Sequence, residues 1–146
     1  MNVRRKSAAS IYTARLTKTD EGSGLRVLVA DDDPAIRMLV QRVFARRGYE
    51  VTTANDGADA IVHLDQNEYD LLVLDLMMPR VDGIGVIAHL QSRGAATPPI
   101  LVMTAAAPDV LGRLPKDRIA KIITKPFDID ELVHDANDAI ETARVT

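Results

Sequence analysis

Residues 71–83, reading Leu-Leu-Val-Leu-Asp-Leu-Met-Met-Pro-Arg-Val-Asp-Gly, constrain the fold more than any other stretch. Leu71, Leu72, Val73 and Leu74 run without polar interruption into Asp75. A strand with no polar alternation is buried on both faces, as in a parallel sheet covered by helices. Asp75 stands where that strand stops, ahead of a loop punctuated by Pro79 and closed by Gly83. In open parallel sheets, ligands bind beyond the carboxyl ends of the strands, so a carboxylate there is placed for chemistry rather than packing.

The same grammar repeats along the chain. Residues 26–30 (Arg-Val-Leu-Val-Ala) form a short apolar strand that runs into Asp31, Asp32 and Asp33. Pro34 suits the first position of a helix, with Asp33 as its cap rather than a metal ligand. Ile36, Leu39, Val40, Val43 and Phe44 recur at three- and four-residue spacing and predict a helix stopping near Gly48. Residues 49–53 suit a second strand, and Ala60, Ile61 and Leu64 mark a second helix. After the Asp75 strand, Ile84, Ile87 and Leu90 give a third helix ending at Gly94. Residues 99–103 read as a fourth buried strand ending at Thr104.

Between 105 and 118, Gly112 and Pro115 interrupt the helical pattern and predict a short or broken fourth helix. Residues 119–124 suit a fifth strand, followed by Lys125-Pro126-Phe127. Asp128 with Glu131 resembles a capping box, and Ile129, Leu132, Val133, Ala136, Ile140 and Ala143 keep one apolar face through the last helix. Strands alternating with helices imply an α/β fold of right-handed βαβ units. The expected architecture is a flavodoxin-like, doubly wound (βα)5 sandwich with a parallel sheet of order 2-1-3-4-5.

Composition removes several function classes. The chain has 146 residues and no cysteine, so it carries one domain without disulfides or thiolate metal sites. No apolar run approaches the roughly 18 to 20 residues of a membrane span, and the start lacks the apolar centre of a secretory signal. A cytoplasmic protein without membrane contact is expected. Residues 1–24 carry five basic residues against Asp20 and Glu21, a net +3, which leaves −6 on the rest of a chain of net charge −3. They read as a flexible basic extension ahead of a domain spanning 25–146. An acidic body gives no reason to expect direct DNA binding.

Parallel strands put their carboxyl ends on one edge, so Asp31, Asp32, Asp75, Thr104 and Lys125 meet there despite their distance in sequence. Two carboxylates at about 4 Å repel by on the order of 4 kcal/mol at an effective dielectric near 20. A lysine ammonium and a divalent cation offset that repulsion. Oxygen ligands with no histidine or cysteine among them favour Mg²⁺ over zinc. A cation with open positions beside a carboxylate, a hydroxyl and an ammonium makes a phosphoryl-transfer site. His63, His89 and His134 are scattered over three helices and form no ligand set.

Val-Leu-Val-Ala-Asp31-Asp32-Asp33-Pro34, Asp75-Leu-Met-Met-Pro79 with Gly83, Met103-Thr104-Ala105 and Lys125-Pro126-Phe127, each in order at a strand end, resemble the response-regulator receiver domains of the CheY-like kind from residue 25 to about 143. The resemblance implies that Asp75 accepts a phosphoryl group from a sensor histidine kinase or a phosphotransfer protein. It implies Mg²⁺ held by Asp32 and Asp75, by Asp31 through water, and by the Met77 backbone carbonyl. Lys125 would pair with Asp75 at rest and with the phosphoryl group afterwards, and Thr104 would turn its hydroxyl toward the new phosphate. Such a protein is no enzyme in the ordinary sense, assisting only its own phosphorylation and dephosphorylation. It signals through a downstream protein target, or through a homodimer using the fourth helix, fifth strand and fifth helix.

The departures from the pattern carry expectations of their own. Ile122 stands where receivers usually carry an aromatic residue that rotates with the threonine, so the usual switch lacks its ring. Pro115-Lys-Asp-Arg-Ile-Ala replaces the usual Gly-Ala turn before the fifth strand. Met77 and Ala106, at positions that tune phosphate loss in the family, are apolar and orient no attacking water, which implies a long-lived phosphorylated state. With only residues 142–146 expected after the last helix, a stand-alone receiver is expected. Two other readings remain: a pseudo-receiver that binds without phosphorylation, and a Mg²⁺-dependent phosphatase of the haloacid-dehalogenase type using Asp31-Asp32-Asp33. The phosphatase reading lacks the usual threonine at Ala35.

Overall fold

The computed structural model describes residues 24–94 and 96–144. The expected basic extension, residues 1–24, lies outside them except for Gly24. Five strands alternate with five helices: β1 (Arg26–Ala30), α1 (Pro34–Ala45), β2 (Glu50–Ala54), α2 (Gly57–Gln66), β3 (Leu71–Leu74), α3 (Gly83–Arg93), β4 (Ile100–Thr104), α4 (Pro108–Leu111), β5 (Lys121–Thr124) and α5 (Ile129–Arg144). A single 3₁₀ turn, Lys116–Arg118, stands between α4 and β5. The sheet is parallel throughout, in the order β2-β1-β3-β4-β5, as the βα alternation predicts.

Alternation along the strands divides the interior into two cores. Leu28, Leu72, Leu74, Ile100 and Val102 face α2 and α3, where Leu64, Ile87 and Leu90 complete one layer. Val27, Val29, Leu71, Val73, Leu101, Met103 and Ile123 face α1 and α5, where Val40, Phe44, Leu132 and Ile140 complete the other. Every residue of β3 is fully buried, which is why its sequence shows no polar alternation.

Acidic residues start most of the helices. The Asp33 carboxylate accepts from the backbone N–H groups of Ala35 (2.9 Å) and Ile36 (3.4 Å), with Pro34 following it in α1. Asp82 accepts from Gly85 N–H at 2.9 Å, and Asp128 from Glu131 N–H at 3.1 Å. Each satisfies a donor that a helix start leaves unpaired. Gly94, at φ 71, ends α3 in the left-handed region that glycine adopts without strain.

The boundaries shift where packing overrides the pattern. The second strand runs one residue later than 49–53, because the Tyr49 N–H is taken by the Phe44 carbonyl at 3.2 Å, with the two rings edge-on and their centroids 5.1 Å apart. The fifth strand starts at Lys121 rather than Ile119, whose N–H is taken by the carbonyl of Lys116 in the 3₁₀ turn. The fourth helix is a single turn, as Gly112 and Pro115 imply. Among the described residues no helix is long and apolar enough to cross a membrane.

Leu72 lies in β3, fully buried between β1 and β4, whereas Met38 on α1 is 50% exposed. Leu72→Ala is expected to lower unfolding stability by about 2 to 5 kcal/mol. Met38→Ala should change it by no more than about 0.5 kcal/mol. Urea unfolding of the two variants beside the wild type checks both.

Candidate functional site

Asp31, Asp75 and Lys125 come together at the carboxyl edge of the sheet. Asp31 follows β1 and is wholly buried. One of its oxygens accepts from Asp33 N–H at 2.9 Å and the other from Lys125 Nζ at 2.8 Å. Asp75 follows β3, is 4% exposed, and is fixed to β1 by its own N–H on the Ala30 carbonyl at 3.0 Å. Its Oδ2 accepts from Lys125 Nζ at 3.2 Å and its Oδ1 from Met77 N–H at 3.2 Å. Lys125 follows β5 and is held by its backbone N–H on the Thr104 carbonyl at 2.9 Å.

The resemblance to receiver domains implies a pairing of Lys125 with Asp75, and the two lie 3.2 Å apart. The structure adds Asp31 at the shorter distance, because a carboxylate with no solvent contact needs a countercharge. Burial pushes the Asp31 carboxyl above the usual carboxylate range, and the neighbouring charge of Asp75 adds to it, while Lys125 opposes both. For Lys125, burial is the largest single influence and disfavours the ammonium. The hydrogen bond to Asp31 and the attraction of both carboxylates together outweigh it, so Lys125 is held above its ordinary value and stays charged.

Asp32 is exposed, and its side chain makes none of the described hydrogen bonds. Asp31, Asp32 and Asp75 each offer a carboxylate oxygen, all within 4.8 Å of one another. Three carboxylates against one ammonium leave two negative charges in this cluster. That deficit and an all-oxygen donor set fit a hard divalent cation. Asp31 and Asp75 each have both oxygens engaged, Asp31 at the shorter distances of 2.8 and 2.9 Å and Asp75 at 3.2 Å on each, whereas the exposed Asp32 makes none of the described bonds. Asp33 is committed to the cap of α1.

Thr104 ends β4, is wholly buried, and its Oγ1 accepts from Ala106 N–H at 3.1 Å. Met77 is 58% exposed at the mouth of the site. Ile122, on the edge strand β5, is 37% exposed. The histidines stand elsewhere: His89 bonds Asp65 (2.9 and 3.1 Å) across α3 and α2, and His63 lies 3.6 Å from Asp59. Sequence reasoning missed Asp56 and Arg80. Asp56 follows β2, is 8% exposed, and pairs with Arg80 of the loop after Asp75 at 2.7 and 2.9 Å.

A family model described as "Response regulator receiver domain" matches residues 27–137. Over 117 residues the chain is 38% identical to transcriptional regulatory protein TcrA of Mycobacterium tuberculosis, covering 75% of this chain and 44% of that protein. It is 39% identical over 116 residues to response regulator MprA of Mycobacterium leprae, covering 75% of this chain and 48% of MprA. The chain thus matches just under half the length of these relatives. Among solved structures, the Francisella response regulator 1452 receiver domain superimposes with a TM-score of 0.74 at 33% identity, over 82% of this chain and 99% of that one. Response regulator TrrA of Thermotoga maritima, in complex with Mg²⁺ and BeF, superimposes with a TM-score of 0.71 at 30% identity, over 79% and 98%.

Adding Mg²⁺ is expected to raise the thermal midpoint, by the equivalent of about 2.7 kcal/mol at a hundred times the dissociation constant. Asp32→Asn should lose most of that rise while folding normally without the ion, since Asp32 is exposed and unbonded. Thermal scans with Mg²⁺ and with chelator check this. Equal gains in wild type and variant would count against the carboxylate cluster as the binding place.

Proposed function

The chain belongs to the response regulator receiver family, and on that footing we propose that it accepts a phosphoryl group on Asp75 from the phosphohistidine of a sensor kinase or phosphotransfer protein. The observation that carries the reading is the Lys125 ammonium lying 3.2 Å from Asp75 and 2.8 Å from Asp31, beside a third carboxylate. An anionic nucleophile attacks an anionic phosphoryl group only where positive charge is concentrated on both. Lys125 supplies one such charge from the chain itself. Mg²⁺, held by Asp32 and Asp75, by Asp31 through water and by the Met77 carbonyl, would supply the rest by neutralising phosphoryl oxygens.

In the transfer, a carboxylate oxygen of Asp75 forms the new bond to phosphorus while the bond from phosphorus to the partner's imidazole nitrogen breaks, its electron pair staying on the ring. The Met77 N–H on Oδ1 and the Lys125 ammonium on Oδ2 fix the plane of the carboxylate. Thr104 now accepts a backbone N–H, which leaves its own hydroxyl proton free to be donated to a phosphoryl oxygen. That rotation gives up the bond to Ala106 and draws the loop after β4 toward the site. TrrA, a protein of similar fold in complex with Mg²⁺ and BeF, supports by analogy the assignment of Mg²⁺ to this site.

Output would run through phosphorylation-dependent contact with a downstream protein, or a homodimer through α4, β5 and α5, in the cytoplasm. The relatives TcrA and MprA are regulators of which this chain matches less than half. We divide the chain into an extension, 1–24, and the receiver proper, 25–146.

Incubation with acetyl phosphate and Mg²⁺, read by intact mass, tests the central step. One added phosphoryl group, dependent on Mg²⁺ and absent from Asp75→Asn, is the expected result. No addition, with a cognate kinase also failing, would leave a binding module that works without phosphorylation. Met77 and Ala106 offer no side chain to orient an attacking water. The phosphorylated form should therefore outlast minutes after the donor is removed; loss within seconds would sink that expectation.

A further inference from the structure

The loop between β3 and α3 begins at Asp75 and is held from outside the acidic site. At its base, Gly83 N–H donates to the Leu76 carbonyl at 3.0 Å. Gly83 also sits so close that an added Cβ would stand 2.5 Å from the Asp75 carbonyl oxygen. At its tip, Arg80 has φ 67, and Val81 N–H donates to the Pro79 carbonyl at 2.8 Å. That is a γ-turn of the positive-φ kind, strained for any residue with a Cβ. Glycine adopts it freely, yet arginine occupies it. The Arg80 guanidinium places Nε 2.9 Å and a terminal nitrogen 2.7 Å from one oxygen of Asp56. The other Asp56 oxygen accepts from Asp59 N–H at 2.8 Å and caps α2. Next to it, a Cβ on Gly57 would lie 1.8 Å from the Val81 carbonyl oxygen, so the two backbones touch.

We propose that Asp56 and Arg80 form a latch that positions the loop after Asp75 for Mg²⁺ binding and phosphoryl transfer, a role that rests on the phosphoacceptor reading of Asp75. Asp56 is a positioning residue, since it acts on the site only through Arg80 and the loop. The Arg80 side chain is 66% exposed, so the pair adds little to folding stability directly. A strained turn tied down by a weak surface pair is suited to setting where a loop lies rather than to holding the fold together. The base of the loop is already closed at Leu76 and Gly83. Release of Arg80 from positive φ therefore moves the segment between, which includes the Met77 carbonyl proposed for the cation and the Met77 N–H that bonds Asp75 at 3.2 Å. The Asp59 N–H and then Arg80 hold Asp56 below the ordinary carboxylate range, so the latch is charged throughout neutral pH.

Three variants separate positioning from folding. Asp56→Asn keeps an oxygen for the Asp59 N–H and removes the ion pair. Arg80→Ala removes the pair from the other side, and Arg80→Lys keeps the charge. Calorimetric titration with Mg²⁺ should show binding weakened about tenfold in Asp56→Asn and Arg80→Ala. The double variant should be no weaker than either single one, and Arg80→Lys should recover most of the loss. Hydrogen exchange of the amides at 76–82 in Mg²⁺-free protein should be faster in the same two variants, with the amides of β1 and β3 unchanged.

Variants that bind Mg²⁺ as the wild type does, whatever their melting temperatures, would overturn the latch. If the wild type also gains a phosphoryl group on Asp75, that failure is the latch's alone. A wild type that binds Mg²⁺ but takes no phosphoryl group overturns the phosphoacceptor reading, and the Mg²⁺ comparison still decides the latch. A wild type with no affinity for Mg²⁺ overturns both.

Discussion

The ammonium of Lys125, shared between the carboxylates of Asp31 and Asp75, is the interaction on which the rest of the site depends. Asp31 has no solvent contact, and an unpaired charge at such a place costs several kcal/mol. Lys125 supplies the pairing from the edge strand of the sheet, 94 positions away in the chain. It reaches both carboxylates only because parallel strands bring all their carboxyl ends to one side. One ammonium cannot balance three carboxylates, however, and the remaining negative charge is a standing electrostatic cost. In a protein selected for stability alone, an asparagine in place of Asp31 or Asp32 would relieve it. Under the proposed function that cost is the condition for binding a divalent cation, which would be carried at the expense of the fold.

The chain has acidic residues on every side of this cluster, and their backbone partners separate chemistry from architecture. Asp33, Asp56, Asp82 and Asp128 each accept an N–H at a helix start, the place where a carboxylate satisfies an orphan donor. Asp31 is half structural, with one oxygen on Asp33 N–H and the other on the lysine. Asp75 is held less closely, at 3.2 Å on each oxygen, and Asp32 makes none of the described bonds. Burial orders the same groups: the wholly enclosed Asp31 anchors, the nearly enclosed Asp75 sits at the floor of the opening, and the exposed Asp32 faces what arrives from solvent. A site built this way places its reactive groups on loops whose ends are fixed by rigid strands.

Much of this is legible in the sequence because buried parallel strands announce themselves. The apolar runs ending at Ala30, Leu74 and Met103 each stop at a polar residue, and position at a strand end was enough to single out Asp31, Asp75, Thr104 and Lys125. Gly112 and Pro115 likewise reveal a fourth helix reduced to one turn. Tyr49 and Ile119 were less readable, since each looks like strand and is claimed by a neighbouring turn through packing or a hydrogen bond. The Asp56–Arg80 pair left no pattern at all. Asp56 stands just before α2 and Arg80 in the loop after β3, and nothing in the 23 residues between them says that they meet. The contact exists because Gly57 lets α2 close against the backbone of Val81, a tertiary fact with no local signature.

The opposite side of the site limits how a change at Asp75 can reach the surface. Thr104 is wholly buried and its hydroxyl is tied to Ala106 N–H, so movement of that hydroxyl must be paid in backbone geometry between β4 and α4. Beyond it, β5 is an edge strand whose Ile122 stands 37% exposed. A β-branched side chain there has few rotamers and no ring to swing from surface to interior. Under the proposed function, motion at Thr104 would be communicated by displacement of the loop and of α4, which has no capping side chain and holds to the core only through the partly buried Val110 and Leu111. A helix so lightly held is easily moved, and its position relative to β5 and α5 is the variable that a partner at this face would read.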